Sequence, residues 1–280
     1  FAAKKRLFDM LKEEAVAVTN ADDPYGMRIV ADTPARVGTY GIDNDADYKV
    51  TRYALHKDRT IFSLRCSGME YELETNLVAK FNIYNLVGAI AALKETGLAM
   101  TQIIAALKNI RQVEGRMERI DMGQPFNVIV DFAHTPDGIE KLCQYASAIT
   151  PKDHRIIAIA GSAGKRDTAK RPVFGKLLDQ YADMIILTED DPRDEKPADI
   201  AMEISKGIRK KPYVLIEDRY NAIRQAVEIC SKGDTIVIMG KGDERFMYRE
   251  FGREPYEGDD VIAKDVITRY YFGEGSDESE

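Results

Sequence analysis

Five short apolar runs recur through the second half of the chain, at 126–132, 156–160, 184–187, 213–216 and 235–239, with segments of helical periodicity between them. Val- and Ile-rich runs of this length, with no polar alternation, are strands covered on both faces, and in a strand–helix–strand succession they form a parallel sheet. The pattern predicts a doubly wound α/β layer structure. In the helix after the fourth run, Asp218 stands at the N-cap, and Ala222, Ile223, Ala226, Val227 and Cys230 make the buried stripe. Ile200, Ile204 and Ile208 line one face of another helix over 197–208, and a last helix is expected over 259–271.

The first half reads differently. Residues 1–11 form an amphipathic helix with no capping residue ahead of Phe1, which leads to the expectation that this sequence starts inside a longer protein. Residues 15–20 are a short apolar strand that runs into a turn-rich segment at 21–26. Alternation at 48–53 and 59–65 predicts an antiparallel hairpin or meander with Asp58 near the turn. Leu86, Ala89, Ile90, Leu93 and Leu98, then Ile103, Ile104 and Leu107, recur at helical spacing on two segments parted by Gly97. Helical periodicity stops at 112–115, which sets expected domains at 1–113 and 114–272. The acidic, Gly- and Ser-rich 273–280 is expected to be disordered.

A length of 280 residues suits two domains, and 44% hydrophobic with 31% charged residues is the balance of a globular protein. The formal charge of −7 argues against nucleic acid or an anionic membrane as a partner. No apolar run reaches the roughly 18 residues a spanning helix requires, so no membrane insertion is expected. Cys66, Cys143 and Cys230 are too far apart for a zinc pattern or a disulfide framework, and read as buried thiols in a reducing cytoplasm.

In an open parallel sheet the ligand lies beyond the carboxyl ends of the strands. The segments there are Asp131-Phe-Ala-His-Thr-Pro136, Gly161-Ser-Ala-Gly-Lys-Arg-Asp167, Thr188-Glu-Asp-Asp-Pro-Arg-Asp194 and Gly240-Lys-Gly-Asp-Glu244, and they are expected to converge on one crevice. The second is not a triphosphate loop, since that motif needs Gly at Ile159 and a hydroxyl at Arg166. Its backbone amides, with Lys165 and Arg166, suit either an anion or a tight turn. His134 has no identifiable nucleophile partner, which leaves a ligand hydrogen bond or a helix-capping role. In 189–195 five carboxylates surround Arg193, so the run is either well solvated or holds a cation. Arg193 offers a fork for a carboxylate, while Asp190, Asp191 and Glu244 offer a seat for an amine, a mixture that fits an amino acid.

Taken in order, Ala-Ala-Lys4, Asn20-Ala-Asp-Asp23, Phe81-Asn-Ile-Tyr-Asn85, Gly115-Arg-Met-Glu118, the Asp131 segment, Lys170-Arg-Pro172, Asp190-Asp-Pro-Arg193 and Gly240-Lys-Gly242 resemble the Mur ligases of the MurE type. The resemblance covers nearly the whole chain. It implies the carboxyl-terminal part of a central ATPase domain followed by a Rossmann-like domain, and an ATP-dependent amide ligase of peptidoglycan synthesis. Such an enzyme serves cell-wall biogenesis, cell shape and cell division. Its partners would be a UDP-N-acetylmuramoyl dipeptide, UDP-N-acetylmuramoyl-L-alanyl-D-glutamate, and a free diamino acid; its cofactors would be ATP and Mg2+. The resemblance further implies that Lys4 is carbamylated and supports magnesium as a catalytic and metal residue. It assigns Asn85, Arg116, Asp131 and His134 to ATP, and Arg166, Asp190, Asp191, Pro192, Arg193, Gly240 and Glu244 to the amino acid. Helix capping is the competing reading of Asn82 and Asn85.

The chain departs from the family pattern at two positions, with Asp191 where diaminopimelate enzymes carry Asn and Asp243 where His is common. An added carboxylate repels the distal carboxylate of diaminopimelate and attracts the lysine ammonium, whereas Arg193 argues the other way. The expected amino acid is L-lysine, with meso-diaminopimelate next. A cytoplasmic monomer is expected, inactive in this length. The alternatives are a folylpolyglutamate or cyanophycin synthetase-like ligase, a non-catalytic amino-acid-binding module, and, more distantly, a nicotinamide-binding dehydrogenase, for which the Gly-x-Gly-x-x-Gly is missing.

Overall fold

The computed structural model describes residues 1–273; the acidic segment at 274–280 lies outside the described residues. The chain forms two compact units, Phe1–Arg111 and Gln112–Glu280.

In the first unit, α1 (Ala2–Asp9) precedes a five-stranded sheet in sequential order: β1 (Val16–Asn20), β2 (Arg36–Gly41), β3 (Tyr48–Leu55), β4 (Thr60–Cys66) and β5 (Met69–Thr75). The first three strands pair in parallel and the last three form an antiparallel meander. A short helix, α2 (Gly26–Ile29), lies between β1 and β2. The sequence shows the meander only as the β3–β4 alternation; in β5 the exposed residues are Met69 and the glutamates at 70, 72 and 74, while Leu73 is buried. Two helices, α3 (Lys80–Glu95) and α4 (Met100–Leu107), supply Ile83, Val87, Ile90 and Ile103 to a core shared with Val50, Phe62 and Leu64. Gly97 and Leu98 end α3 by donating back to the carbonyls of Lys94 and Leu93 at 3.0 and 3.3 Å, which satisfies carbonyls that the helix leaves open.

The second unit holds a six-stranded sheet whose strands are β6 (Glu118–Arg119), β7 (Asn127–Asp131), β8 (Ile156–Ala160), β9 (Met184–Leu187), β10 (Tyr213–Leu215) and β11 (Thr235–Met239). Their order is β10-β9-β8-β11-β7-β6, all parallel except β6 at the edge. The connecting helices are α5 (Pro136–Ile149), α6 (Arg171–Tyr181), α7 (Pro197–Ser205) and α8 (Arg219–Ile229), followed by α9 (Asp259–Val266) and one π-helical turn, Ile267–Tyr271. Every residue of β8 and β11 is buried, as continuous apolar strands between two helical layers require. Ala222, Ile223, Ala226 and Val227 of α8 join Ile262 and Val266 of α9 against Val128, Ile157, Ile186 and Ile236 of the sheet. Asp218 caps α8 by accepting from Asn221 N at 2.8 Å. The helix expected to reach Ile208 ends at Ser205, although Ile208 stays buried.

The chain steps from β7 to β8, β9 and β10 toward one edge, then returns to insert β11 between β8 and β7. That reversal opens a crevice at the carboxyl ends of β7, β8 and β11.

Candidate functional site

The loops that leave these strands are tied together by their backbones. Gly240 N donates to Asp131 O at 3.0 Å, Gly164 N to Asp191 O at 3.0 Å, and Phe132 N to Gly115 O at 2.9 Å. Lys170 Nζ, on the approach to α6, donates to His134 O at 2.9 Å. Contact is close enough to require bare backbone: a Cβ on Gly164 would lie 2.0 Å from Pro192 O, and one on Gly240, at φ +117°, 2.4 Å from Asp190 Oδ2. Gly161-Ser-Ala-Gly164 is therefore a tight turn packed on the Asp191–Pro192 backbone.

The acidic run 189–195 is neither freely solvated nor waiting for an ammonium along its whole length, because the chain supplies most of its counterions. Glu189 takes both ends of Arg249 at 2.6 and 2.8 Å. Asp194 pairs with Lys165 at 3.2 Å, and Glu195 with Arg171 at 2.8 Å. Lys241 is fully buried with Nζ 2.7 Å from Asp191 Oδ1 and 2.6 Å from Glu244 Oε2. The amine seat expected at Asp191 and Glu244 is thus filled by a lysine of the same chain.

Two charged groups of the run remain outside these pairs. Arg193 makes no ion pair among the described residues, and its Nε is buried with no partner. Its guanidinium lies 4.7 Å from the centre of the Tyr248 ring. Asp190 is 7% exposed and makes no hydrogen bond among the described residues. Burial pushes its carboxyl up to about 6 against the pull of Arg219 and Lys241, and the nearby Asp191 and Asp259 charges push it the same way.

A second cluster surrounds the end of β7. The two Asp131 oxygens accept from Met117 N and Ala133 N, each at 2.7 Å, so this carboxylate shapes the loops on either side of it. Burial nevertheless raises its pKa above the ordinary carboxylate value. His134 does not cap α5; Thr135 does, accepting from Gly138 N at 3.2 Å. His134 Nδ1 instead sits 2.9 Å from Phe132 O, which leaves Nε2 open to a ligand. The exposed Arg116 stacks its guanidinium 4.2 Å from the Phe132 ring centre.

Pro192 is buried against the Gly164 turn, and Arg166 is exposed. Lys4 and Asn85 belong to the first unit. Asn85 Nδ2 donates to Asn82 Oδ1 at 3.1 Å inside α3, whose N-cap is Ala79, so neither asparagine caps that helix. Lys4 is exposed on α1, whereas Lys5 bridges Asp9 and Asp32. Among the described residues no three His, Cys, Asp or Glu side chains gather as metal ligands. The residues present therefore do not complete a magnesium cage around Lys4.

Three features escaped the sequence reading. Lys241 stood inside a motif quoted for its glycines, and Arg219 beside an N-cap. Arg219 is 1% exposed and clamps two strand ends, donating to Glu189 O at 3.1 Å and Met239 O at 2.9 Å while Asp259 holds it from α9 at 2.7 Å. The third is an antiparallel hairpin, β12 (Phe246–Arg249) and β13 (Gly252–Pro255), joined to the acidic run where Arg193 N donates to Tyr248 O at 2.9 Å. Its only advance signal is alternation over a few residues.

Comparison with known proteins accounts for both units. Residues 1–93 match the Mur ligase middle domain and residues 115–242 the glutamate ligase domain of the Mur ligases, so the chain belongs to the Mur ligase family. Within it the chain is similar to UDP-N-acetylmuramoyl-L-alanyl-D-glutamate–2,6-diaminopimelate ligases. It is 38% identical to that of Halalkalibacterium halodurans over 90% of this chain and 51% of the relative, and 37% identical to that of Aquifex aeolicus over 95% and 54%. A solved structure of such a ligase superposes with a TM-score of 0.61 at 28% identity, covering 96% of this chain and 56% of that one. The chain spans about half the length of the curated relatives it matches.

Proposed function

We propose that this chain forms the amino-acid-reading part of an ATP-dependent amide ligase that adds a diamino acid to UDP-N-acetylmuramoyl-L-alanyl-D-glutamate in the cytoplasm. Arg193 carries this reading. In a run of five carboxylates it is the one cation of the run, and it is half-buried with no carboxylate partner among the described residues and with a buried Nε that nothing meets. A half-buried guanidinium with an open fork is a receptor for an external carboxylate, and the unpaired Asp190 three positions earlier in the loop suits an ammonium.

The internal Lys241–Asp191 pair removes the reason for preferring L-lysine, which required Asp191 to present an uncompensated charge. With that charge neutralised, Arg193 decides, and the proposed substrate is meso-diaminopimelate: its distal carboxylate on Arg193 and its distal ammonium on Asp190. Diaminopimelate ligases among the relatives support the same choice.

In the reaction, the peptide carboxylate takes the γ-phosphoryl group of ATP and ADP leaves; the free amine then attacks the acyl carbon and gives up a proton, and phosphate departs with the amide formed. The chain's contribution is placement and charge. Arg116 and the open Nε2 of His134 suit phosphate or ribose oxygens, and Asp131 holds the loop that carries Arg116. The described residues build no cage for magnesium.

Calorimetric titration tests the reading. The 280-residue protein should bind meso-diaminopimelate more tightly than L-lysine, and Arg193→Gln should erase the difference; equal affinities in the wild-type protein would overturn it.

A further inference from the structure

Arg193 depends on a neighbour that no sequence pattern singles out. Its backbone has φ +57°, a conformation that L-residues seldom adopt and that must be held from outside. The hairpin β12–β13 does this. Arg193 N donates to Tyr248 O at 2.9 Å, and Tyr248 N donates to Asp191 Oδ1 at 2.9 Å, so one residue of the hairpin fixes the backbone on one side of the proline and the carboxylate on the other. Asp191 N also contacts Met247 Sδ at 3.1 Å. The ring of Tyr248 then faces the Arg193 guanidinium at 4.7 Å and is itself braced edge-on by Phe246 at 5.2 Å. Arg253 lies 3.7 Å from the Phe246 centroid, and Arg249 grips Glu189, which anchors the hairpin to the start of the same loop.

An aromatic face is an unusual brace for this purpose. An ion pair would orient a guanidinium but consume its donors and its charge, whereas a ring fixes its position and leaves the N–H fork available. We propose that Tyr248 is the positioning residue for the carboxylate reader: the hairpin presents its ring so that Arg193 is held, still charged and unpaired, for the distal carboxylate of the incoming amino acid. This rests on the proposed amino-acid site and adds the element that sets its selectivity.

The test compares two ligands in the 280-residue protein by calorimetry: meso-diaminopimelate, which has the distal carboxylate, and L-lysine, which lacks it. Tyr248→Leu should weaken diaminopimelate binding about tenfold while L-lysine binding changes less than about twofold. Tyr248→Phe, which keeps the ring, should restore the wild-type ratio. A purely structural role predicts a proportional loss for both ligands and would overturn the proposal, as would an unchanged ratio in Tyr248→Leu. If the leucine variant does not fold, Tyr248→Met, which replaces the ring by a flexible chain, is read by the same ratio. Arg193→Gln separates the two levels. If it discriminates as the wild type does, the amino-acid site itself is wrong; if it loses discrimination while Tyr248→Leu retains it, only the role of Tyr248 is wrong.

Discussion

At the residue scale, Asp190 is the costly position. Its carboxyl is buried without a hydrogen bond, beside Asp191 and Asp259 of like charge, and titrates near 6 instead of 3.8. A carboxyl whose pKa is raised on folding gives its full stability below the unfolded value and loses it as pH rises through the folded one. Between about pH 4 and 6 the folded protein should therefore lose roughly 1–3 kcal/mol that Asp190→Asn retains. Denaturation at pH 8 should find the asparagine variant the more stable, and at pH 4 the two nearly equal; the same variant should bind diaminopimelate poorly. A wild-type advantage at pH 8 would show that Asp190 is satisfied by its own surroundings. The sequence made Asp190 visible as one of several acids, but not its isolation, because isolation depends on where Lys241, Arg171, Arg249 and Lys165 end up, and those partners come from as far as 60 positions away.

At the scale of elements, the strands and helices of the α/β unit were legible because burial on both faces leaves an unbroken apolar signature. The hairpin and β5 were not, since β5 buries only Leu73 and Thr75 and every residue of β13 is exposed, which leaves no apolar run to read. Arg219 illustrates the same limit. As a helix residue it reads as surface charge, yet it joins α8 to α9 and clamps the carboxyl ends of β9 and β11, from which Asp190 and Gly240 follow. Arg219→Lys cannot make all these bonds, and leaves Asp259 buried with part of its charge unmet. A loss of about 3–5 kcal/mol in urea unfolding is expected, together with weaker diaminopimelate binding in the protein that remains folded. A loss below about 1 kcal/mol would mean that the clamp is dispensable.

For the whole molecule, the two compact units have separate cores, and the residues proposed for the amino acid all lie in the second. Residues 112–273 expressed alone should give a dispersed amide NMR spectrum and keep diaminopimelate affinity within about threefold, as expected of a unit with its own core; a collapsed spectrum would show that the cores are interdependent. The sequence made the composition of this unit legible, along with the convergence of its loops, but it misjudged the occupant of the acidic seat. That occupant has a consequence for chemical intervention. Lys241 is a tethered amine already lodged between Asp191 and Glu244, at an effective concentration no dissolved compound matches. Cationic inhibitors designed against those acids would compete with the protein itself, so selective compounds should instead carry an anion for Arg193.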